Sequence, residues 1–358
     1  MMSDARNTEN MPAATSGSRT RHRSFKVGDF GWIWIATVAL FLVSLVIAPG
    51  TMRPTSLMAM LPFASLLAIV AIGQTVVIQL RGLDMSVVAL VALGGVMAAR
   101  FGADLGMDGL GVAVTLLAAL VLGAFNGVLV SRINIMPIVA TLASNAIFLG
   151  LVRMISGNRV SVTPPGIEAF ASSKLLGLPA TLWVAVAFIA VVAFVMNRTR
   201  LGREYRFVGA APRMALAAGI NVNAYIIGTY AFASACFAVT GILLSGVIGS
   251  ASHIAGPEYL LPGIAAVVVG GTAFGGGTGS VLASAVAALF MVQLGQLVLA
   301  MGAGTAGQLL VQAVAVVVAT ALRNFDDILR LLKRNPRLAA GASVAASKQD
   351  LEKGTTQS

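Results

Sequence analysis

Long apolar runs, separated by short polar stretches, set the pattern of this chain. Eight runs reach or approach the roughly 20 residues that a helix needs to cross a bilayer. They are 32–48, 57–80, 109–130, 137–155, 179–197, 225–249, 280–301 and 306–322. Two more, SVVALVALGGVMAA (86–99) and LLPGIAAVVVGGTAF (260–274), are short and rich in small residues or turn-formers. The pattern predicts an all-α integral membrane protein with about ten transmembrane helices. Its membrane domain runs over 32–322, with one long loop at 198–224. Residues 1–31 are rich in Ser, Thr, Asn and Arg and read as a disordered tail. They lack the short apolar core and cleavage site of a signal peptide. Residues 323–358 read as a second tail, rich in Ala, Ser and Lys.

Charge decides whether the two short runs cross. If both do, and the N-terminus is inside, the cytoplasmic segments hold nineteen of the 24 basic residues. Only Arg53, Arg100, Arg153, Arg159 and Lys174 fall outside. If neither crosses, the arginines of 198–213 become external, against the positive-inside rule. Ten crossings with both termini cytoplasmic is therefore the expectation. The second to fifth helices then run opposite in sense to the seventh to tenth. The two short runs occupy matching places in these halves, as at the midplane site of transporters built from inverted repeats.

Composition strengthens the membrane reading. Hydrophobic residues are 58% of 358 and charged residues 10%, with a mean hydropathy of +0.90. Soluble domains carry about 25% charged residues. The net charge of +11 could suggest nucleic acid, but the basic residues cluster at the flanks of apolar runs. Membrane lipid is the partner that fits, and nucleic acid is not. Cys236, the one cysteine, lies in an apolar run and excludes an intramolecular disulfide.

No G-x-x-x-x-G-K-[ST] stretch is present to cradle a nucleotide. The glycine-rich GGTAFGGGTGS (270–280) has no such lysine, and is expected to break a helix and let backbones approach. His22 and His253 are far apart, one in the tail and one in an expected external loop, and no cluster suggests a metal. An enzyme is not expected, and neither is a cofactor on the chain itself.

Polar residues in apolar surroundings are the candidates for function. Arg81 and Asp84 lie between the second and third runs. One reading has Arg81 snorkelling and Asp84 capping the third helix, beside Ser86. The other turns Asp84 into the bundle, toward a pathway or a broken helix. Asn126 is mid-run, where an amide is costly against lipid, so it should face another helix. Gln74, Asn145, Gln293 and Gln296 carry the same choice between interhelical contact and ligand contact. Asp84, Ser86, Asn126, Asn145 and Gln293 are thus the candidate pathway or helix-junction residues.

The loop RTRLGREYRFVGAAPRMALAAGINVN (198–223) is basic, yet PRMALAAGI reads as a short helix opened by Pro212 and ended by Gly219. It is expected either to dock a cytoplasmic partner or to lie on anionic lipid.

Four stretches carry a resemblance. RGLDMSVVAL, FNGVLVSRINIMPIVATLASNAIF, TRLGREYRFVGAAPRMALAAGINV and IAAVVVGGTAFGGGTGSVLASAV resemble, in order, the permease subunits of bacterial ABC importers for monosaccharides of the ribose, xylose and galactose type. Together they cover about 57–322. Arg81 and Val88 replace the outer glycines of the family-like G-G-I-D-L-S-V-G, and Leu149 stands where arginine is common. Leu260 and Pro262 replace acidic residues of some relatives. The resemblance implies a subunit of the bacterial inner membrane that forms the path for a sugar. It implies a second permease, in a homodimer or heterodimer, and a periplasmic sugar-binding protein. It also implies a cytoplasmic ATPase using ATP and Mg, docked on a loop carrying Gly209, Pro212, Ala215, Gly219, Ile220 and Asn221. A permease for branched-chain amino acids or nucleosides would share much of this pattern. An ion-coupled secondary transporter needs intramembrane carboxylates, and apart from Asp84 the inferred spans hold none.

Overall fold

The computed structural model describes residues 31–323. Apart from residues 31 and 323, both predicted tails lie outside it. The described chain is helical nearly throughout. In order, its helices are α1 (Trp32–Ile47), α2 (Pro54–Gln79), α3 (Val87–Leu105), α4 (Asp108–Ser131), α5 (Pro137–Ser156), α6 (Pro165–Ser172) and α7 (Ala180–Arg198). Then come α8 (Arg200–Ala210), α9 (Pro212–Ala217), α10 (Val222–Ile248), α11 (Pro257–Val269), α12 (Val281–Ala300) and α13 (Thr305–Arg323). Two antiparallel pairs of two-residue strands complete it: β1 (Ser161–Val162) with β4 (Ser250–Ala251), and β2 (Lys174–Leu175) with β3 (Leu178–Pro179).

Among the described residues, seven helices (α2, α3, α4, α5, α7, α10 and α12) are long and apolar enough to cross a membrane, and α1, α11 and α13 supply shorter apolar segments. This is an all-α, multi-pass membrane protein. Its centre is α2, buried along most of its length and packed on α7, α10, α11 and α12. The perimeter helices α4, α5 and α7 leave Leu117, Phe125, Ile147 and Phe194 exposed, the side that lipid covers.

The two short runs depart from their predicted bounds. α3 runs on through Arg100 and Asp104, which pair at 3.2 Å one turn apart on an exposed face. α11, by contrast, starts earlier and stops at Val269. Pro257 opens it, and Gly270 with Gly271 (φ +94°) ends it. At 13 residues it is about 20 Å long, too short for a hydrocarbon core of about 30 Å.

α3 begins deep in the bundle, with Ser86 and Val87 fully buried. After α2 the chain folds back, so that Gln74 Nε2 donates to the Asp84 carbonyl at 2.6 Å. Asp84 therefore lies about five residues, or roughly 7 Å, back along α2 from its end. Gly256, just ahead of α11, packs without a side chain on the Val88 carbonyl in the first turn of α3. Non-helical chain precedes both helices: 80–86 ahead of α3, and 249–256, which contains β4, ahead of α11. His253 belongs to this second segment. It is half-buried there, beside the exposed Ile254.

Candidate functional site: a re-entrant junction tied to a surface hairpin

The junction starts at the end of α2. Arg81 N–H donates to Ile78 O at 2.9 Å and Gly82 N–H to Val77 O at 3.0 Å, the paired bonds of a Schellman turn. Arg81 takes the left-handed position, with φ +63°. Gly82 faces the Tyr230 hydroxyl, which a Cβ would approach within 2.6 Å. Next, Asp84 Oδ1 accepts the Ser86 N–H at 2.9 Å and the Ser86 hydroxyl at 2.5 Å. This is an Asx turn two residues ahead of the helix, not a side-chain cap on α3 itself. Asp84 is fully buried. Of the two sequence readings, the carboxylate turned into the bundle is the one observed.

Other helices satisfy the exposed amides at the start of α3. Met85 N–H donates to Thr141 Oγ1 and Ala89 N–H to Asn145 Oδ1, both at 3.0 Å. Asn126 Nδ2 donates to Ser86 Oγ at 2.9 Å. Thus Asp84, Ser86, Asn126 and Asn145 come together around one buried helix start. Thr141, which the sequence reading passed over, joins them one turn before Asn145 on α5. Gln293 does not: its Nε2 reaches Ser44 Oγ at 3.0 Å and ties α12 to α1. Gln74 Oε1, Asp84 Oδ2 and Asn126 Oδ1 are buried with no hydrogen bond from the chain. Buried polar atoms without a partner are uncommon in native interiors, and these three lie close around the start of α3.

The second element is the hairpin of α8 and α9. Thr199 caps α8 by accepting Gly202 N–H at 3.3 Å. Tyr205, fully enclosed, donates to the Val76 carbonyl of α2. On the open side, Arg200 Nε meets Glu204 Oε1 at 2.6 Å and the Tyr225 hydroxyl donates to Glu204 Oε2 at 2.6 Å. The Tyr225 hydroxyl, followed by Arg200, holds the Glu204 carboxyl below its ordinary range. Arg198, Arg200, Arg203, Arg206 and Arg213 are all exposed here.

α9 is built much as its sequence suggests. Pro212 opens it, and Gly219 (φ +80°) and Ile220 close it, with N–H bonds at 3.0 Å to Leu216 O and Ala215 O. Asn221 then caps α10 by accepting Ala224 N–H at 3.1 Å. Gly209 packs on the Gln79 carbonyl and Gly277, and Ala215 is wholly buried. Each of the six residues picked from sequence therefore shapes the hairpin. The face left open is Arg213, Met214 (64% exposed) and Leu216 (66%), with Ala217 and Ala218.

Junction and hairpin are bonded to each other. Arg81 Nε donates to Gly209 O at 3.0 Å and Nη2 to Ala210 O at 2.6 Å. Its guanidinium thus meets the last carbonyls of α8, where the helix dipole favours a cation. The exposed Arg81 side chain is thus held on the hairpin. The glycine-rich loop after α11 joins the same place, with Gly277 N–H donating to Gln79 O at 2.8 Å.

A groove of about 600 Å³ opens on the flank between α2, α11, α12 and α13. Glu258, Gln296, Gln308 and Gln312 line it beside Phe63 and Tyr259. Glu258 stood outside the predicted eighth run, but the early start of α11 puts it in that helix's first turn.

The buried start of α3 and the approach to the short helix α11 meet inside this multi-pass membrane bundle. The chain belongs to the family described as "Branched-chain amino acid transport system / permease component", which matches residues 56–322. It is 29% identical over 310 residues to the ribose import permease protein RbsC of Haemophilus influenzae, covering 84% of this chain and 96% of that one. RbsC of Escherichia coli K12 is 30% identical over 297 residues, covering 81% and 92%. The autoinducer 2 import system permease protein LsrD of Escherichia coli O9:H4 is 31% identical over 276 residues, covering 74% and 83%. No solved structure matches the chain.

Proposed function

We propose that this chain is the permease subunit of an ABC importer, forming the path for a monosaccharide delivered by a periplasmic binding protein. ATP and Mg are used by a separate cytoplasmic ATPase, because this chain has no phosphate-cradling loop. The observation that carries the reading is α9. Its own caps fix its buried side, while Met214 and Leu216 stand exposed among arginines. A partner surface accounts for that apolar face. The α8–α9 end then faces the cytoplasm of a bacterial inner membrane, together with both termini, and 198–224 is the coupling loop of a permease domain over 32–322.

The groove supports the sugar and the second permease copy. Its carboxylate and three amides face a flank that lipid would otherwise cover, at a cost that a second copy removes. Amides, a carboxylate and aromatic rings are also chemistry that suits a polyol. The names of the ribose relatives favour a pentose. Uptake of labelled D-ribose and of leucine into proteoliposomes holding the permease, its ATPase and its binding protein tests this. Leucine uptake with no uptake of any monosaccharide would overturn the sugar reading. Reporter fusions at residues 210 and 165 test orientation, with 210 expected inside and 165 outside.

A further inference from the structure

We propose that Arg81 is a positioning residue that couples the α8–α9 hairpin to the re-entrant junction, so that displacing the hairpin moves Asp84 and the first turn of α3. The proposal rests on α9 being the ATPase-docking helix. One residue belongs to both elements. The Arg81 backbone closes the Schellman turn of α2 through Ile78, and the chain then runs through Gly82 to the buried Asp84. The Arg81 side chain bonds two successive carbonyls, Gly209 O and Ala210 O, immediately before α9. No other hydrogen bond between side chain and backbone among the described residues joins the 80–86 segment to the hairpin.

Its backbone sharpens the assignment. A left-handed residue at this position is ordinarily glycine, because a Cβ is penalised there. Arginine accepts that conformation here and uses its fork on the hairpin. Gly276 leaves room for the arrangement: a Cβ on it would come within 2.5 Å of Arg81 Cγ. That glycine lies in the loop that follows α11, so the contact also borders the end of this short helix. Hairpin, α3 junction and α11 loop therefore share one guanidinium stem, and movement of the first has a bonded route to the other two.

Hydrogen exchange followed by mass spectrometry, on the permease assembled with its ATPase in lipid nanodiscs, tests this without knowledge of the sugar. Segments 209–221 and 80–89 are compared with and without ATP plus vanadate. In the unaltered protein both segments are expected to respond. In Arg81→Ala and Arg81→Gly, 209–221 still responds, while the response at 80–89 falls about tenfold, as expected for loss of the bonds joining the two. Arg81→Gly relieves the left-handed conformation, so a folding defect would separate it from Arg81→Ala. A full response at 80–89 in Arg81→Gly, or none at 80–89 in the unaltered protein, overturns the proposal. If 209–221 of the unaltered protein is not protected when the ATPase binds, the docking reading fails first and the proposal falls with it.

Discussion

Helices α2 and α9 end in the same pair of backbone hydrogen bonds, but the left-handed residue is Arg81 in one and Gly219 in the other. Around Gly219 there is open space, and glycine answers only the backbone's demand. At Arg81 the same demand is met by a residue that is penalised by about 1–2 kcal/mol in that conformation. The difference is what the side chain reaches: the exposed turn has nothing to hold, while the junction turn holds the hairpin. The sequels differ as well. Gly219 leads to Asn221, an exposed cap on α10, whereas Arg81 leads to Asp84, enclosed among three helices. One local design thus serves a surface bend and a bend inside the bundle, and burial sets the cost of altering each.

The comparison breaks most visibly at Asp84. Asp84→Ala strands the Ser86 amide and hydroxyl in the interior and should cost about 3 kcal/mol, with most transport lost. Denaturant titration in mixed micelles beside uptake measures both, and near-native uptake would mean the buried turn is dispensable. Exchanging the left-handed residues comes next. Gly219→Arg should cost about 1–2 kcal/mol, with nothing nearby for the guanidinium to hold. The same titration on Arg81→Gly should show a change of less than about 1 kcal/mol, since relief of the backbone offsets the lost side-chain bonds. Equal losses in the two variants would erase the distinction between the turns. Asn221→Ala should then cost about 1 kcal/mol, the ordinary worth of an exposed cap, clearly less than Asp84→Ala.

The smallest effect concerns pH. Glu204 is depressed in the folded state, so its contribution is present above its unfolded value and is lost as pH falls through the folded one. Proteolysis of the α8 segment should accelerate on acidification through and below the ordinary carboxylate range. Glu204→Gln should remove that dependence, and an identical pH profile in the variant would exclude Glu204 as its source.

Much of this architecture was legible in the spacing of apolar runs, because a bilayer imposes length on any helix that crosses it. What the spacing leaves out is tertiary. Residues 249–256 carry Ser250, Ser252 and His253, and hydropathy treats such chain as a loop outside the bilayer. Its Gly256 end packs on α3, a contact between distant segments that leaves no local signature. The residue types of the junction stood out for the same reason they are costly: Asp84, Ser86, Asn126 and Asn145 are polar among apolar neighbours. Their meeting depended on the chain folding back after Arg81, which no periodicity announces. Gln293 had the same signature and a different partner. Thr141 was missed because one threonine in an apolar helix is unremarkable, although its place four residues before Asn145 put both on one face. On α9 the small residues drew attention, but Ala215 is the buried side, and the larger Met214 and Leu216 face outward.

The shortness of α11 also constrains where it can lie. A 13-residue helix preceded by irregular, partly polar chain cannot be stable in lipid by itself, since its unpaired backbone groups would meet hydrocarbon. The Val88 carbonyl and the flank of α2 are where that segment finds cover. Both belong to helices that precede α11 in the chain. The place of α11 thus depends on partners distant in sequence, α2, α3 and α12, which pack on it.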